Sequence, residues 1–264
     1  MLLVKNTPFT NVVANGVATV NLPIGMSYNK IILALGGTTF TKSMITNINV
    51  KVNGKIIYQA LGSRLDLINQ YRGLQANGGF LTIDFTEPRA KSMVEQYVGN
   101  INTASGVSSL TVEVTIAGAT APTLDSYTEY NAPAPLGVIA KQILFTSSFA
   151  GSGKFPMKLI DITNRGGLIK RVHFAHGGNL SMLEVKKNGI VIHDNVPTAV
   201  NSFWQGEYQK TAQPNIYTYD PCADNNYANA VKTADATALE FNPTFTAADT
   251  VTAVVEVLDV LGNM

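Results

Sequence analysis

The chain has 264 residues, a formal net charge of +1, 45% hydrophobic residues and only 14% charged ones. Ordinary soluble chains carry roughly 25% charged residues; here Thr, Asn, Ser, Ala and Gly take their place, which suits a surface covered by neighbours. The basic pairs Lys170-Arg171 and Lys186-Lys187 are isolated, so the concentrated cationic face that displaces counterions from phosphates is missing, and direct nucleic-acid binding is not expected. At the start, Met1-Leu2-Leu3-Val4-Lys5-Asn6-Thr7-Pro8 is too short and too polar for a signal peptide. No apolar run approaches the ~20 residues that cross a bilayer. The expectation is a soluble chain made in a cytoplasm.

Taken in chain order, the periodicity is mostly two-residue, the signature of half-buried strands. Strands are predicted at Gly16–Leu22, Lys30–Leu35, Asn47–Val52, Lys55–Gln59 and Gly79–Phe85. Thr111–Ile116 alternates most cleanly, with Val112, Val114 and Ile116 on one face. Further strands follow at Gln142–Thr146, Met157–Thr163, Ile169–Ala175, Leu183–Lys187, Ile190–His193, Ile216–Tyr219, Ala238–Phe241 and Val251–Val260. β-branched and aromatic residues fill them, and Gly, Asn and Pro punctuate the gaps. Helical spacing is rare. Leu61–Tyr71 and Glu87–Val98, with Pro88 early, carry it, and Asp224–Thr233 is a third candidate. An all-β fold with short helices in its loops follows.

The halves resemble each other. Val50-Lys51-Val52-Asn53-Gly54-Lys55-Ile56-Ile57 and Val185-Lys186-Lys187-Asn188-Gly189-Ile190-Val191-Ile192 each read strand, Asn-Gly turn, strand. Asn-Gly tolerates the positive φ of a tight type I′ hairpin. Asn53 and Asn188 stand 135 residues apart, about half the chain. Lys30–Gly37 precedes the first copy as Arg171–Gly178 precedes the second. Downstream, Ile83-Asp84-Phe85 matches Tyr217–Asp220, and each half is read as closing on a long strand, Leu110–Ile116 or Val251–Val260. The Pro-rich stretch 132–136 is a stiff connector. The reading is two tandem eight-stranded jelly rolls, a double jelly roll, over residues 1–131 and 137–264.

Motifs that carry chemistry are missing or incomplete. Gly151-Ser152-Gly153-Lys154-Phe155 lacks the Gly and the Ser or Thr of a phosphate loop and precedes a strand, not a helix. His173 and His176, three apart on a strand, point to opposite faces, and the His-x-His pair of a cupin enzyme is absent. Cys222 is the single cysteine, expected to be a buried thiol. Asp220–Asn226 offers oxygens for calcium, but without EF-hand spacing it reads as a capped helix start with Asp224 or Asn225 as N-cap. Trp204, with Phe203 and Tyr208, is a sugar platform or interface anchor in one reading and core or subunit-contact packing in the preferred one. No catalytic, cofactor-binding or metal-ligating residue is assigned, and the expectation is a protein that is not an enzyme.

Four stretches resemble a known family: Asn11–Gly16 leading to Leu22-Pro23-Ile24-Gly25; Ile48–Lys55; Leu61–Asn69 around Leu65-Asp66-Leu67-Ile68; and Leu239–Leu258. They resemble the double jelly-roll major capsid proteins of tailless icosahedral, membrane-containing DNA phages, in particular the corticovirus major coat proteins. The resemblance implies a homotrimer whose six barrels make a pseudo-hexagonal capsomer in an icosahedral shell. Its partners would be neighbouring capsomers, a vertex protein and an internal viral membrane or its proteins, with no direct nucleic-acid contact. It places the chain in the virion capsid after synthesis in a host cytoplasm. No cofactor is implied, although capsids of the family can bind calcium between subunits. His173–Gly178 and Asn201–Pro214 depart from the family pattern, so no interface residue is transferred. The other reading is a two-domain carbohydrate-binding or host-attachment β-sandwich, since jelly rolls also serve lectins; a bicupin-like enzyme ranks third.

Overall fold

The structure, a computed structural model, describes residues 1–157, 159 and 166–263. By contact the chain divides into two units. One comprises Met1–Gln70, Leu74–Gln142 and Leu258–Met264; the other comprises Tyr71–Gly73 and Ile143–Val257.

The first unit contains strands β1 (Leu2–Lys5), β2 (Gly16–Leu22), β3 (Ser27–Thr39), β4 (Ile45–Val52) and β5 (Lys55–Ala60), then helix α1 (Gly62–Tyr71). β6 (Phe80–Asp84), helix α2 (Met93–Tyr97), β7 (Ile101–Asn102), β8 (Leu110–Ile116) and β9 (Thr120–Asn131) follow. One sheet runs β1-β9-β3-β6 with β7 also on β3, and β2, β8, β4 and β5 are neighbours in that order in a second. All these pairs are antiparallel. That is the jelly-roll order, in which strands far apart in sequence become neighbours. The inward faces are those that alternation demands: Leu110, Val112, Val114 and Ile116 of β8, Ile48, Val50 and Val52 of β4, Ile31 and Leu33 of β3 are all buried.

The plan repeats, mostly within the second unit, with β10 (Val138–Phe149), β11 (Gly153–Lys154), β12 (Leu168–Ala175), β13 (Leu180–Lys187), β14 (Ile190–Pro197), helix α3 (Thr198–Glu207), β15 (Ile216–Tyr219), β16 (Val231–Lys232), β17 (Leu239–Phe245) and β18 (Asp249–Val260). The strand orders are β10-β18-β12-β15, with β16 on β12, and β11-β17-β13-β14. Ile169, Val172, Phe174, Tyr217 and Val255 of one sheet and Leu183, Val185, Phe241 and Phe245 of the other form one apolar core.

The duplication is more regular than the sequence suggests. Asn53 and Gly54 have φ of 51° and 77°, Asn188 and Gly189 of 52° and 79°, as a type I′ turn requires. Each Asn also clamps the entry to a neighbouring strand. Asn53 Oδ1 accepts from Ser108 N at 2.7 Å, Ser108 Oγ at 3.1 Å and Ser109 N at 3.4 Å, while its Nδ2 donates to Gly106 O at 2.9 Å. Asn188 Oδ1 accepts from Thr237 N, Thr237 Oγ1 and Ala238 N at 2.8, 3.0 and 3.1 Å, and its Nδ2 donates to Asp235 O at 2.8 Å. The clamped strands are β8 and β17. The counterpart of Leu110–Ile116 is therefore Leu239–Phe245, not Val251–Val260; β18 corresponds to β9 instead. Asp84 and Asp220 are equivalent too, since each Oδ1 accepts from the backbone N–H two residues on.

Several expectations need correction. The helix expected over Glu87–Val98 shrinks to Met93–Tyr97, started by Ser92, whose Oγ accepts from Glu95 N at 3.2 Å. Its Met93 and Val94 face solvent. Asp224–Thr233 is not a helix but a 3-10 turn at Tyr227–Asn229 followed by β16. Asp224 Oδ1 accepts from Asn226 N, Asn226 Oδ1 accepts from Ala228 N, and Asn225 has φ 61°. Such local side-chain bonds compete with a helix, so the N-cap is Asn226, not Asp224 or Asn225. The strand expected at Met157–Thr163 lies mostly outside the described residues; Met157 and Leu159 are in the core. β1, β9 and α3 were not anticipated.

Gly99 has φ +99°, and a Cβ there would lie 2.8 Å from Phe85 O, 2.8 Å from Leu258 Cδ2 and 3.0 Å from Ala140 Cβ. Gly99→Ala combines a disfavoured φ with overpacking, and a loss of about 2–4 kcal/mol is expected. A urea midpoint within error of wild type would contradict it.

Candidate functional site

Polar chemistry concentrates in the second unit, on the face of the β10-β18-β12-β15 sheet away from its apolar core. Alternation along β12 sends Val172 and Phe174 inward and Arg171 and His173 to the other face. There Glu256 of β18 accepts from Arg171 Nε at 2.9 Å and Nη2 at 2.7 Å. Its other oxygen takes His173 Nε2 at 3.1 Å. A carboxylate only accepts, so His173 Nε2 carries a proton, and Nδ1 meets Thr218 Oγ1 at 2.9 Å. Arg171 Nη1 donates to Tyr227 OH at 3.0 Å, and Lys170 Nζ lies 3.9 Å from the Glu256 carboxylate. Tyr71 OH donates to Asp220 Oδ2 at 2.9 Å, and its ring meets the His173 ring edge-on at 5.5 Å. Arg171, His173, Thr218, Asp220 and Glu256 are all buried.

The two carboxyls shift oppositely. Burial would raise Glu256, but the Arg171 charge, the His173 hydrogen bond and the charges of Lys170 and Arg72 hold it well below the usual carboxylate range. Asp220 is raised by burial, which Arg171 and Lys210 offset only in part. Burial also pushes the Tyr71 phenol well up. Buried and bonded to one another, Arg171, His173, Thr218 and Glu256 tie β12, β15 and β18 together.

The candidates raised from sequence disperse. His176 Nδ1 accepts from Gly178 N, and His193 Nε2 meets Tyr217 OH at 2.8 Å, so each of the three histidines has its own partners. Burial lowers His176 and takes His193 down to about 4. Gly153-Lys154 is strand β11, paired with β17, and Lys154 Nζ binds Glu184 Oε2 at 2.8 Å and Asn195 Oδ1 at 2.9 Å. Phe155 lies 5.7 Å from the Phe149 ring. Within Asp220–Asn226, the Asp220 oxygens take Tyr71 OH and Cys222 N, and Asn225 Oδ1 takes Lys210 Nζ at 2.7 Å. An ammonium group stands where a calcium ligand set would need a cation of its own. Among the described residues, no group of three or more His, Cys, Asp or Glu side chains could hold a metal ion. Cys222 is fully buried.

The aromatic residues of α3 are not core. Phe203 is 73% exposed, Val200 54%, and Trp204 and Tyr208 38% each. The buried face of α3 is polar instead: Asn201 Nδ2 and Gln205 Nε2 both donate to Thr218 O, at 2.8 and 2.7 Å. This inverted helix escaped sequence reading because periodicity finds helices by an apolar inner stripe. The signal present was the reverse, amides at i and i+4 beneath aromatics. In the first unit, Asn69 of α1 donates to Thr82 O at 2.7 Å. Thr82 stands two before Asp84 as Thr218 stands two before Asp220, so α1 and α3 hang from equivalent carbonyls.

The family model described as the viral coat protein P2 N-terminal domain matches residues 3–131, and that described as the P2 C-terminal domain matches 139–261. Among solved structures the chain is similar to the major capsid protein P2 from bacteriophage PM2, with 20% identity over 98% of this chain and 97% of that one and a TM-score of 0.91. The STIV MCP matches at 13% identity, 98% and 96% coverage and a TM-score of 0.73. A chain of the PBCV-1 virus capsid matches at 10%, 98% and 94%, with a TM-score of 0.61. No curated protein sequence matches the chain. At these identities the structural likenesses speak for the fold, a double jelly roll.

Proposed function

The chain belongs to the viral coat protein P2 family, and from that membership we propose that it assembles as a homotrimer whose barrels form a pseudo-hexagonal capsomer. As a coat protein it is a structural component of a virion capsid, not an enzyme. The finer reading is a shell of such capsomers around an internal membrane and a DNA genome. Neighbouring capsomers, a vertex protein and the membrane or its proteins are the partners, and synthesis is in a host cytoplasm. Residues 1–131 and 137–264 are the duplicated halves, with 132–136 as their connector.

The observation that carries this is the pair of family models, which together span nearly the whole chain. The sparse charge agrees with a surface that neighbours cover, and duplication lets three chains fill a near-hexagonal tile. Light scattering on the purified protein is expected to give a trimer of about 85 kDa, three copies of 28.2 kDa. A species that stays at 28.2 kDa at any concentration would sink the reading.

A further inference from the structure

We propose that the aromatic face of α3 in one copy docks on the outer face of the β1-β9-β3-β6 sheet in a second copy, around Lys30, Ile32 and Glu129. The inference rests on the reading above that the chain self-associates, and adds which surfaces meet.

The argument comes from comparing the halves. Each has one helix between its β5- or β14-type strand and the next, and α1 and α3 hang from equivalent carbonyls, those of Thr82 and Thr218. Counting from those anchors, Ile68 corresponds to Trp204 and Arg72 to Tyr208. In α1 the counterparts of Trp204 and Tyr208 are covered, with Ile68 2% and Arg72 7% exposed, and that of Phe203, Leu67, is half-buried. In α3 the face is open, and it carries aromatics.

The sheets differ in the opposite sense. The equivalence of Asp84 and Asp220, together with the registers Lys30↔Asp84 and Val172↔Tyr219, makes Lys30 the counterpart of Arg171 and Ile32 that of His173. Glu129, which meets Lys30 Nζ at 3.0 Å, is then the counterpart of Glu256. Arg171, His173 and Glu256 are buried, whereas Lys30, Ile32, Tyr127 and Glu129 are only half-buried. One chain thus carries one exposed helix face and one sheet face that is only partly covered. Each is the duplicate of a surface that is covered.

A second copy supplies both covers at once. Charge does not oppose the contact: Glu207 is the single charged residue of α3, and Lys30 and Glu129 on the sheet face neutralise each other. Size argues against α3 pairing with itself. A stable contact needs about 1,000 Å², more than two ten-residue helices of about 15 Å length give each other, and such a pair would leave both sheet faces open. A helix-on-sheet contact is head-to-tail, and head-to-tail contacts that close make rings.

The test uses two full-length variants, Phe203→Ser/Trp204→Ser and Ile32→Arg, each checked for a wild-type far-UV spectrum. Phe203→Ser alone serves if the double change perturbs folding, since 73% of that residue is exposed. Each variant is expected to fall from about 85 kDa to 28.2 kDa. Mixed, they should form a pair of about 56 kDa and stop, because one intact helix meets one intact sheet face and the other two surfaces are spoiled. Variants that remain trimeric, or monomers that ignore each other when mixed, would overturn this contact while leaving self-association standing. A monomeric wild type would remove both.

Discussion

Glu256→Gln is expected to lower stability by about 3–5 kcal/mol at neutral pH, because it leaves a fully buried guanidinium without its counter-charge. Arg171 is 0% exposed and gives two of its N–H groups to Glu256. In a protein this long, each kcal/mol moves the melting midpoint by about 2–4 °C, so a fall on the order of 10 °C is expected. The dependence on pH identifies the cause. The folded-state pKa of Glu256 lies well below its ordinary value. The stabilisation is therefore complete above the unfolded value of about 4.3 and is lost as pH falls through the folded one. The gap between wild type and variant should be widest near pH 7 and shrink below pH ~4. Asp220, raised by burial, is present in both proteins and cancels in the comparison. Urea titrations from pH 3 to 7 decide it. A gap under about 1 kcal/mol at pH 7, or one that does not change with pH, would mean the pair is not held as described.

The second large effect is expected at the two turn asparagines. Asn53→Ala and Asn188→Ala should each cost about 2–3 kcal/mol: about 1 for an L-residue other than Asn or Gly at φ near +50°, the rest for the strand entry no longer clamped. Replacement by Gly keeps the φ and removes only the clamp, so about 1–2 kcal/mol is expected there. Because the two turns lie in different contact units, the double variant should show the sum of the single effects. If Gly is as good as Asn at both turns, the side-chain bonds to Ser108 and Thr237 contribute nothing.

What the sequence disclosed follows from the same physics. Strands whose inward positions are apolar and outward positions polar, such as β8, were legible to within a residue or two. β9 was not, because its inward residues include Ser126 and Thr128. Asn6 satisfies both hydroxyls in the interior, its Nδ2 donating to them at 3.0 and 2.8 Å. A partner some 120 residues away leaves no local trace. β1 was missed for the opposite reason: all four of its residues are exposed, so it has no inner face to alternate. The Asn-Gly hairpins were legible as turns, yet their second role as clamps depends on loops about 50 residues further on. The Arg171–Glu256–His173 cluster could not be read at all, since nothing in the spacing of three polar residues says that a sheet will bring them together.

The pairing of β1 with β9 also sets a clock. Lys5 finds its partner Tyr127 only after about 120 more residues have been made, which at about 5–20 residues per second is on the order of 6–24 s of synthesis. Leu2, Leu3 and Val4 remain an unpaired apolar strand for that whole interval. The first unit also includes the segment from Leu258 on, so its set of contacts stays open until the second half has been made. A nascent chain halted midway would present an open sheet edge, and wherever many copies are translated together those edges have to be kept apart.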